Sequence, residues 1–118
     1  MEQVEQTTQQ ALLTMPNSKS NKFILEVKGD SMAPTIRESD IIIVDPDAEP
    51  LPGDVCLIRI EGLGYTLKRV HFDMDEVILT SDNPVYKKKI FPAAEVIQIY
   101  PVIMHIKKHE QIRKKYMI

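Results

Sequence analysis

The feature that most constrains this fold is a series of six short apolar runs that begins at Phe23. These runs are FILEV, DIIIVD, DVCLIRI, YTLKRV, EVILT and EVIQIYPVIMHI. Ile- and Val-rich runs of this length are typical of strands, and turn-forming residues such as Gly29-Asp30 and Asn83-Pro84 separate them. No convincing amphipathic helix pattern accompanies them. The sequence therefore predicts a mostly β domain, folded as small packed sheets or a partial barrel.

Details within this pattern give further expectations. Residues 33–38, APTIRE, predict a single helical turn. Pro101 interrupts the last run, and because proline cannot donate to a sheet ladder it predicts a bulge or an edge strand there. Gly53, in LPGD, predicts a hairpin residue with a positive φ.

The two ends of the chain depart from the strand pattern. Residues 1–21 are rich in Gln, Thr, Ser and Asn, which predicts a flexible lead or linker. Residues 22–108 then form the folded domain, and 109–118 a basic tail. Residues 107–118 carry five Lys or Arg and one acid, which leaves ten basic and sixteen acidic side chains elsewhere, a net charge of −6. A body that acidic is a poor phosphate binder.

Several function classes are disfavoured by what the sequence lacks. No apolar run approaches the ~20 residues that cross a bilayer, and the first residues do not resemble a signal peptide. The single cysteine, Cys56, lies inside an apolar run, which predicts a buried and unreactive thiol in a reducing compartment. We therefore expect a cytoplasmic protein without a membrane anchor.

A candidate nucleophile lies in the turn GDSM. Ser31 is placed between two apolar runs, a usual way to hold a reactive hydroxyl still, although a turn serine is also common without any chemistry. Histidine is not a promising base. His105 and His109 have the i, i+4 spacing of metal ligands on a helix, but VIMHI predicts a strand and no third ligand is near. We expect neither a metal nor a cofactor.

Lys68 is the better candidate base. Strand alternation places Thr66, Lys68 and Val70 on one face and Tyr65, Leu67 and Arg69 on the other. If Lys68 points inward it loses hydration, its pKa falls, and a neutral amine within ~3 Å of a serine becomes a general base. The alternative is a solvated strand face from which both cations extend into water. Alternation alone leaves both arrangements open.

The motifs GDSMAPTI, SDIIIVD, LPGDVCLIRI, YTLKRV and LTSDNPVY, in this order and spacing, resemble the C-terminal peptidase domain of the LexA-like proteins. This group includes LexA, the UmuD proteins and the self-cleaving phage repressors. The resemblance runs from about Phe23 to Ile106. It implies a mostly β peptidase fold in which Ser31 is the nucleophile, Lys68 the general base, and backbone N–H groups around Asp30 and Ser31 the oxyanion hole. It also implies a homodimer formed through this domain.

Other residues of these motifs have structural roles in our interpretation. Met32 and Pro34 pack and shape the serine turn, and Asn83 caps or braces a loop.

The chain also differs from the LexA-like proteins that it resembles. They cleave themselves at an Ala-Gly or Cys-Gly bond a few tens of residues before the serine, whereas the first glycine here is Gly29. The short polar lead cannot hold a helix-turn-helix domain. We therefore expect a cleavage product, a shortened form or a stand-alone member, with DNA contacted only through a domain absent from this chain.

Three functions remain open. The first is the dimerisation and self-cleavage domain of a phage-type repressor, triggered by the RecA filament on single-stranded DNA after damage. The second is a processed UmuD-like subunit that binds an error-prone polymerase, which VIMHI resembles. The third is a signal peptidase, which shares the SMAPT turn but carries a membrane anchor. SDNPVY favours the repressor.

Overall fold

In the computed structural model, the described residues are 7–8, for which the backbone alone is described, and 21–108. These residues form eight strands and one short 3-10 helix. They are β1 (Thr7–Thr8), β2 (Phe23–Val27), β3 (Ile41–Val44), β4 (Val55–Ile60), β5 (Gly64–Asp73), β6 (Glu76–Thr80), β7 (Lys89–Pro92), the 3-10 helix Ala93–Glu95, and β8 (Val96–Ile106). The predicted mostly β class is confirmed.

The strands form an antiparallel sheet in the order β1-β2-β3-β8-β4-β5-β6-β7. The long strand β8 joins two parts of this sheet. Its C-terminal half pairs with β3, where Ile41 lies opposite Ile106, and its N-terminal half pairs with β4, where Cys56 lies opposite Pro101. The register also shifts on the β3 side of β8 close to Pro101. Pro101 was predicted to mark either a bulge or an edge strand. The structure has the bulge-like register shift, and β8 lies inside the sheet, between β3 and β4.

Two strands were not predicted. Thr7–Thr8 pairs with Glu26 and Val27 of β2, inside the segment interpreted as a flexible lead. The other residues of that lead before Asn21, and the tail 109–118, lie outside the described residues. Strand β7 has the sequence KIFP. Four residues are too few to show the alternation of apolar and polar side chains from which a strand is predicted.

Two apolar clusters lie on opposite faces of β4 and β5. Leu57 and Leu67 belong to one cluster, whereas Cys56, Ile58 and Val70 belong to the other. Successive residues of a strand point to opposite faces, so a strand between two clusters buries consecutive side chains. Residues 66, 67 and 68 of β5 are accordingly all buried.

The smaller expectations are met in part. Ile36 N–H donates to the Met32 carbonyl at 2.9 Å, which forms one helical turn at the predicted place. Gly53 has the predicted positive φ, 88°, but it is not a hairpin residue, because the strands on either side of it, β3 and β4, are not neighbours in the sheet. Cys56 is buried, and burial, with the nearby Asp54 carboxylate adding to it, raises the pKa of its thiol to about 12. Between residues 21 and 108, no helix combines the length and the apolar character needed to cross a lipid bilayer.

Candidate active site

Ser31 lies in the connection between β2 and β3. Gly29 enters this connection with a φ of 88°, a conformation that glycine adopts without steric cost, and Ala33 N–H donates to the Asp30 carbonyl at 3.1 Å to close the turn. The next side chain, Met32, is fully buried and anchors the turn in the core beneath it. Pro34, by contrast, is exposed, and the Ala33–Pro34 peptide bond is cis. Ser31 itself is only 2% exposed.

Lys68 lies in the middle of β5 and points inward. Its exposed fraction is 7%, and it shares its face with the buried Thr66 and Val70. The neighbouring Arg69 points to the other face and is only half-buried. The arrangement in which both cations extend into water is therefore wrong, because β5 is covered on both faces at this point.

The Ser31 and Lys68 side chains meet although they are 37 residues apart in sequence. The Lys68 Nζ donates to Ser31 Oγ at 2.8 Å, and Ser31 Oγ lies 3.5 Å from the Leu67 carbonyl oxygen, to which it can donate. The Tyr86 ring lies over Lys68, with 5.8 Å from Nζ to the ring centroid. A neutral amine at this position can accept the hydroxyl proton, which is what a serine nucleophile requires of its base.

The loop between β6 and β7 contacts the serine turn. Asn83 N–H donates to the Ser31 carbonyl at 3.0 Å, and Asn83 Nδ2 donates to the Asp30 carbonyl at 3.1 Å. Asn83 was expected to cap or brace a loop, and the loop that it bonds to is the one that carries Ser31. Tyr86, whose hydroxyl donates to the Asp30 carboxylate, was not singled out from the sequence. The only signal for it was its place in the motif LTSDNPVY.

An ion pair lies beside the dyad. Both Asp82 carboxylate oxygens accept from Arg69, from Nε at 2.7 Å and from Nη2 at 2.9 Å. These bonds, together with one from the Thr35 hydroxyl, hold the pKa of Asp82 below its usual range even though partial burial opposes them. The same contact raises the pKa of Arg69 further above its usual value.

The histidines considered as metal ligands have another role or lie outside the described residues. His105 Nε2 is 2.7 Å from Asp40 Oδ2, and His109 is not among the described residues. Burial raises the pKa of Asp40, but hydrogen bonds from Arg37 N–H, His105 and Lys108 N–H outweigh burial and lower it overall. Across residues 21–108, no group of three His, Cys, Asp or Glu side chains is arranged to hold a metal ion.

The chain is similar to several known proteins. The family model described as Peptidase S24-like matches residues 1–104. The chain belongs to the Peptidase S24-like family. This S24-like chain is 34% identical over 80 residues to the LexA repressor of Deinococcus radiodurans, which covers 66% of the chain and 38% of the relative. The resemblance to a LexA-like C-terminal peptidase domain is thereby confirmed.

Two phage proteins are also similar to the S24-like chain. The 26 kDa repressor protein of Escherichia phage HK022 is 29% identical over 98 residues, covering 82% of the chain and 42% of the relative. The repressor protein C2 of Salmonella phage P22 is 37% identical over 78 residues, covering 62% and 36%. The chain therefore spans about two fifths of the length of the curated relatives it matches.

Proposed function

We propose that this S24-like chain is a serine peptidase of the Ser–Lys type, with Ser31 as nucleophile and Lys68 as general base. The observation that carries the proposal is the 2.8 Å contact between Lys68 Nζ and Ser31 Oγ, both of them buried. In a Ser–Lys peptidase, a lysine takes the place of histidine as the general base for the serine. The family description of this chain, Peptidase S24-like, is consistent with that chemistry.

In the proposed reaction, neutral Lys68 removes the proton from Ser31 as Oγ attacks the carbonyl carbon of the scissile peptide bond. The C–N bond then breaks, the Lys68 ammonium returns the proton to the leaving amine, and an ester to Ser31 remains. A water molecule, deprotonated by Lys68, hydrolyses the ester and restores both side chains. Backbone N–H groups of Asp30 and Ser31 stabilise the negative oxygen of the tetrahedral intermediates.

The biological role that we propose is the self-cleavage and dimerisation domain of a LexA-like, phage-type repressor. In this proposal residues 22–108 form the domain, 1–21 the lead and 109–118 the basic tail. The RecA filament on single-stranded DNA triggers cleavage in the cytoplasm, and DNA is contacted through a domain outside this chain. The similar proteins named above are repressors, which favours this role over a polymerase partner or a signal peptidase.

The dyad is tested by labelling with a fluorophosphonate probe, followed by intact mass, from about pH 6 to about pH 10, the range over which a buried lysine amine becomes neutral. We expect wild-type labelling to rise with pH. Ser31→Ala removes the attacked oxygen and should abolish labelling. Lys68→Ala should slow it by about 100-fold or more, the usual contribution of a general base.

Lys22→Ala is the matched lysine control, because the half-buried Lys22 pairs with Asp45 at 3.8 Å and not with Ser31. It should be labelled at the wild-type rate. Labelling of a folded Lys68→Ala variant at the wild-type rate, or no labelling of folded wild-type protein at any pH, would contradict the proposed chemistry.

A further inference from the structure

The loop of residues 81–86, between β6 and β7, is bonded to the turn that carries Ser31. Asn83 supplies two of these bonds, from its N–H to the Ser31 carbonyl at 3.0 Å and from its Nδ2 to the Asp30 carbonyl at 3.1 Å. A third bond runs from the Thr35 hydroxyl to Asp82 Oδ2 at 2.6 Å. The loop thus holds the turn at the nucleophile, one residue before it and four residues after it.

The same loop is bonded to the strand that carries Lys68. Arg69, the next residue along β5, makes the two-pronged ion pair with Asp82, and its Nη1 also donates to the Gly53 carbonyl at 2.9 Å. A two-pronged arginine–carboxylate pair fixes orientation as well as distance. Asp82 therefore connects β5 to the loop at the position adjacent to the proposed base.

Tyr86 lies beside both the serine turn and the proposed base. Its hydroxyl donates to the side-chain carboxylate of Asp30, which precedes the nucleophile, and its ring lies 5.8 Å from Lys68 Nζ. The loop that carries Tyr86 is itself ordered by Asn83, whose Oδ1 accepts from Val85 N–H at 3.1 Å and whose carbonyl accepts from Tyr86 N–H at 3.2 Å.

The nucleophile and the base come from separate elements, the β2–β3 connection and β5, so their separation is not fixed by local chain geometry. Reacting groups need to be held to about 0.5 Å, and a displacement near 1 Å can cost about 100-fold in rate. The loop contacts both elements.

We propose that Asn83 and Tyr86 are positioning residues, which hold the Ser31 turn at reacting distance from Lys68. This inference rests on the proposed peptidase function, because it concerns the rate of the same dyad. Neither residue takes part in proton transfer or bond formation. Their loss should therefore slow the attack by Ser31 while leaving probe binding, the fold and the pH at which labelling rises in place.

The first experiment compares Tyr86→Phe with Tyr65→Phe. Both tyrosines are partly buried and each hydroxyl donates one hydrogen bond, that of Tyr65 to Gln98 Oε1 at 3.2 Å on the β4–β5–β8 side of the domain. Tyr86→Phe keeps the ring over Lys68 and removes the hydroxyl that bonds to Asp30. We expect the limiting labelling rate at saturating probe to fall about 10-fold for Tyr86→Phe, and to change less than about twofold for Tyr65→Phe.

The half-saturating probe concentration should stay within about twofold for both variants, which separates positioning from binding. Asn83→Ala, which removes the side-chain bonds to the Asp30 carbonyl and from Val85 N–H but keeps the backbone bond to Ser31, should also lower the limiting rate. The double variant Asp30→Ala/Tyr86→Phe should react no more slowly than the slower of its two single variants, because each single substitution already removes the same hydrogen bond between Tyr86 and Asp30.

Amide hydrogen exchange of the peptide covering residues 28–36 tests the positioning independently of chemistry. Faster exchange there in Tyr86→Phe and Asn83→Ala, but not in Tyr65→Phe, would support the proposal whether or not wild type is labelled. Unchanged exchange would overturn it, as would wild-type limiting rates in folded Tyr86→Phe and Asn83→Ala. A wild-type protein that never reacts would instead contradict the dyad chemistry, and the exchange comparison would still decide the positioning role.

Discussion

At Lys68 a long cationic side chain lies 7% exposed between two apolar clusters, bonded to Ser31 and covered by the Tyr86 ring. Removing an ammonium group from water is costly unless strong interactions compensate for it. Selection for stability alone would therefore not favour a lysine at this position. Stability and chemistry place opposite demands on this position.

A substitution that keeps the volume of Lys68 separates these demands. We expect Lys68→Met to slow fluorophosphonate labelling by about 100-fold or more while the thermal midpoint stays the same or rises, because a methionine side chain of similar size carries no charge into the core. The measurement is a thermal melt beside the labelling assay.

Leu67→Ala is the contrasting variant, since Leu67 is fully buried on the opposite face of the same strand. It should lower the free energy of unfolding by about 2–5 kcal/mol. A Lys68→Met melt as low as that of Leu67→Ala would show that the lysine stabilises the domain.

At the scale of the elements, the 81–86 loop and β5 are joined by the Asp82–Arg69 pair. The folded pKa of Asp82 lies below the unfolded value because Arg69 bonds to the carboxylate. Its stabilising contribution is therefore complete above the unfolded pKa, near 3.9, and is lost as the pH falls through the lower folded value. Because the Arg69 side chain is 35% exposed, solvent screening keeps this contribution to about 1 kcal/mol.

Asp82→Asn should accordingly reduce the free energy of unfolding by about 1 kcal/mol at pH 7, as measured by urea denaturation. The difference from wild type should shrink as the pH falls below about 4. Asp75→Asn, at an exposed position in the β5–β6 turn, is the control and should change stability by less than about 0.5 kcal/mol at either pH. A wild-type advantage that persists at pH 3 would mean that the carboxylate charge is not its source.

The elements that were predicted correctly are those in which apolar residues dominate a run. FILEV, DIIIVD, DVCLIRI, YTLKRV, EVILT and EVIQIYPVIMHI correspond to β2, β3, β4, β5, β6 and β8. Alternation could not decide between Lys68 and Arg69, because it assumes one solvated face, whereas β5 is covered on both faces at residues 66–68. Sequence alone did not predict the Tyr86–Asp30 contact either, which joins residues 56 positions apart.

At the scale of the whole molecule, β8 presents apolar side chains to solvent. Ile103 is 47% and Met104 is 54% exposed, and they follow Pro101, where the β4–β8 pairing ends. Apolar side chains grouped on an exposed strand are typical of subunit contacts, so we assign the proposed homodimer contact to this part of β8.

Ile103→Lys should weaken this dimer, raising its dissociation constant about 10-fold or more, because burying one such side chain contributes about 1.5–3 kcal/mol. Sedimentation velocity over a concentration series measures the change. Met74→Lys is the matched control, since Met74 is 98% exposed in the β5–β6 turn. If Ile103→Lys and Met74→Lys dimerise alike, the contact lies elsewhere.

The position of β8 determines when the sheet can be completed as the chain is synthesised. Ser31 belongs to the part of the sheet built on β2 and β3, and Lys68 to the part built on β4 and β5, and β8 is the strand that lies between them in the sheet. Among the described residues it is also the last strand along the chain. On a translating ribosome the two parts emerge one after the other, and β8, which unites them, follows both. A nascent polypeptide therefore completes the sheet around its serine and lysine only after β8 has emerged.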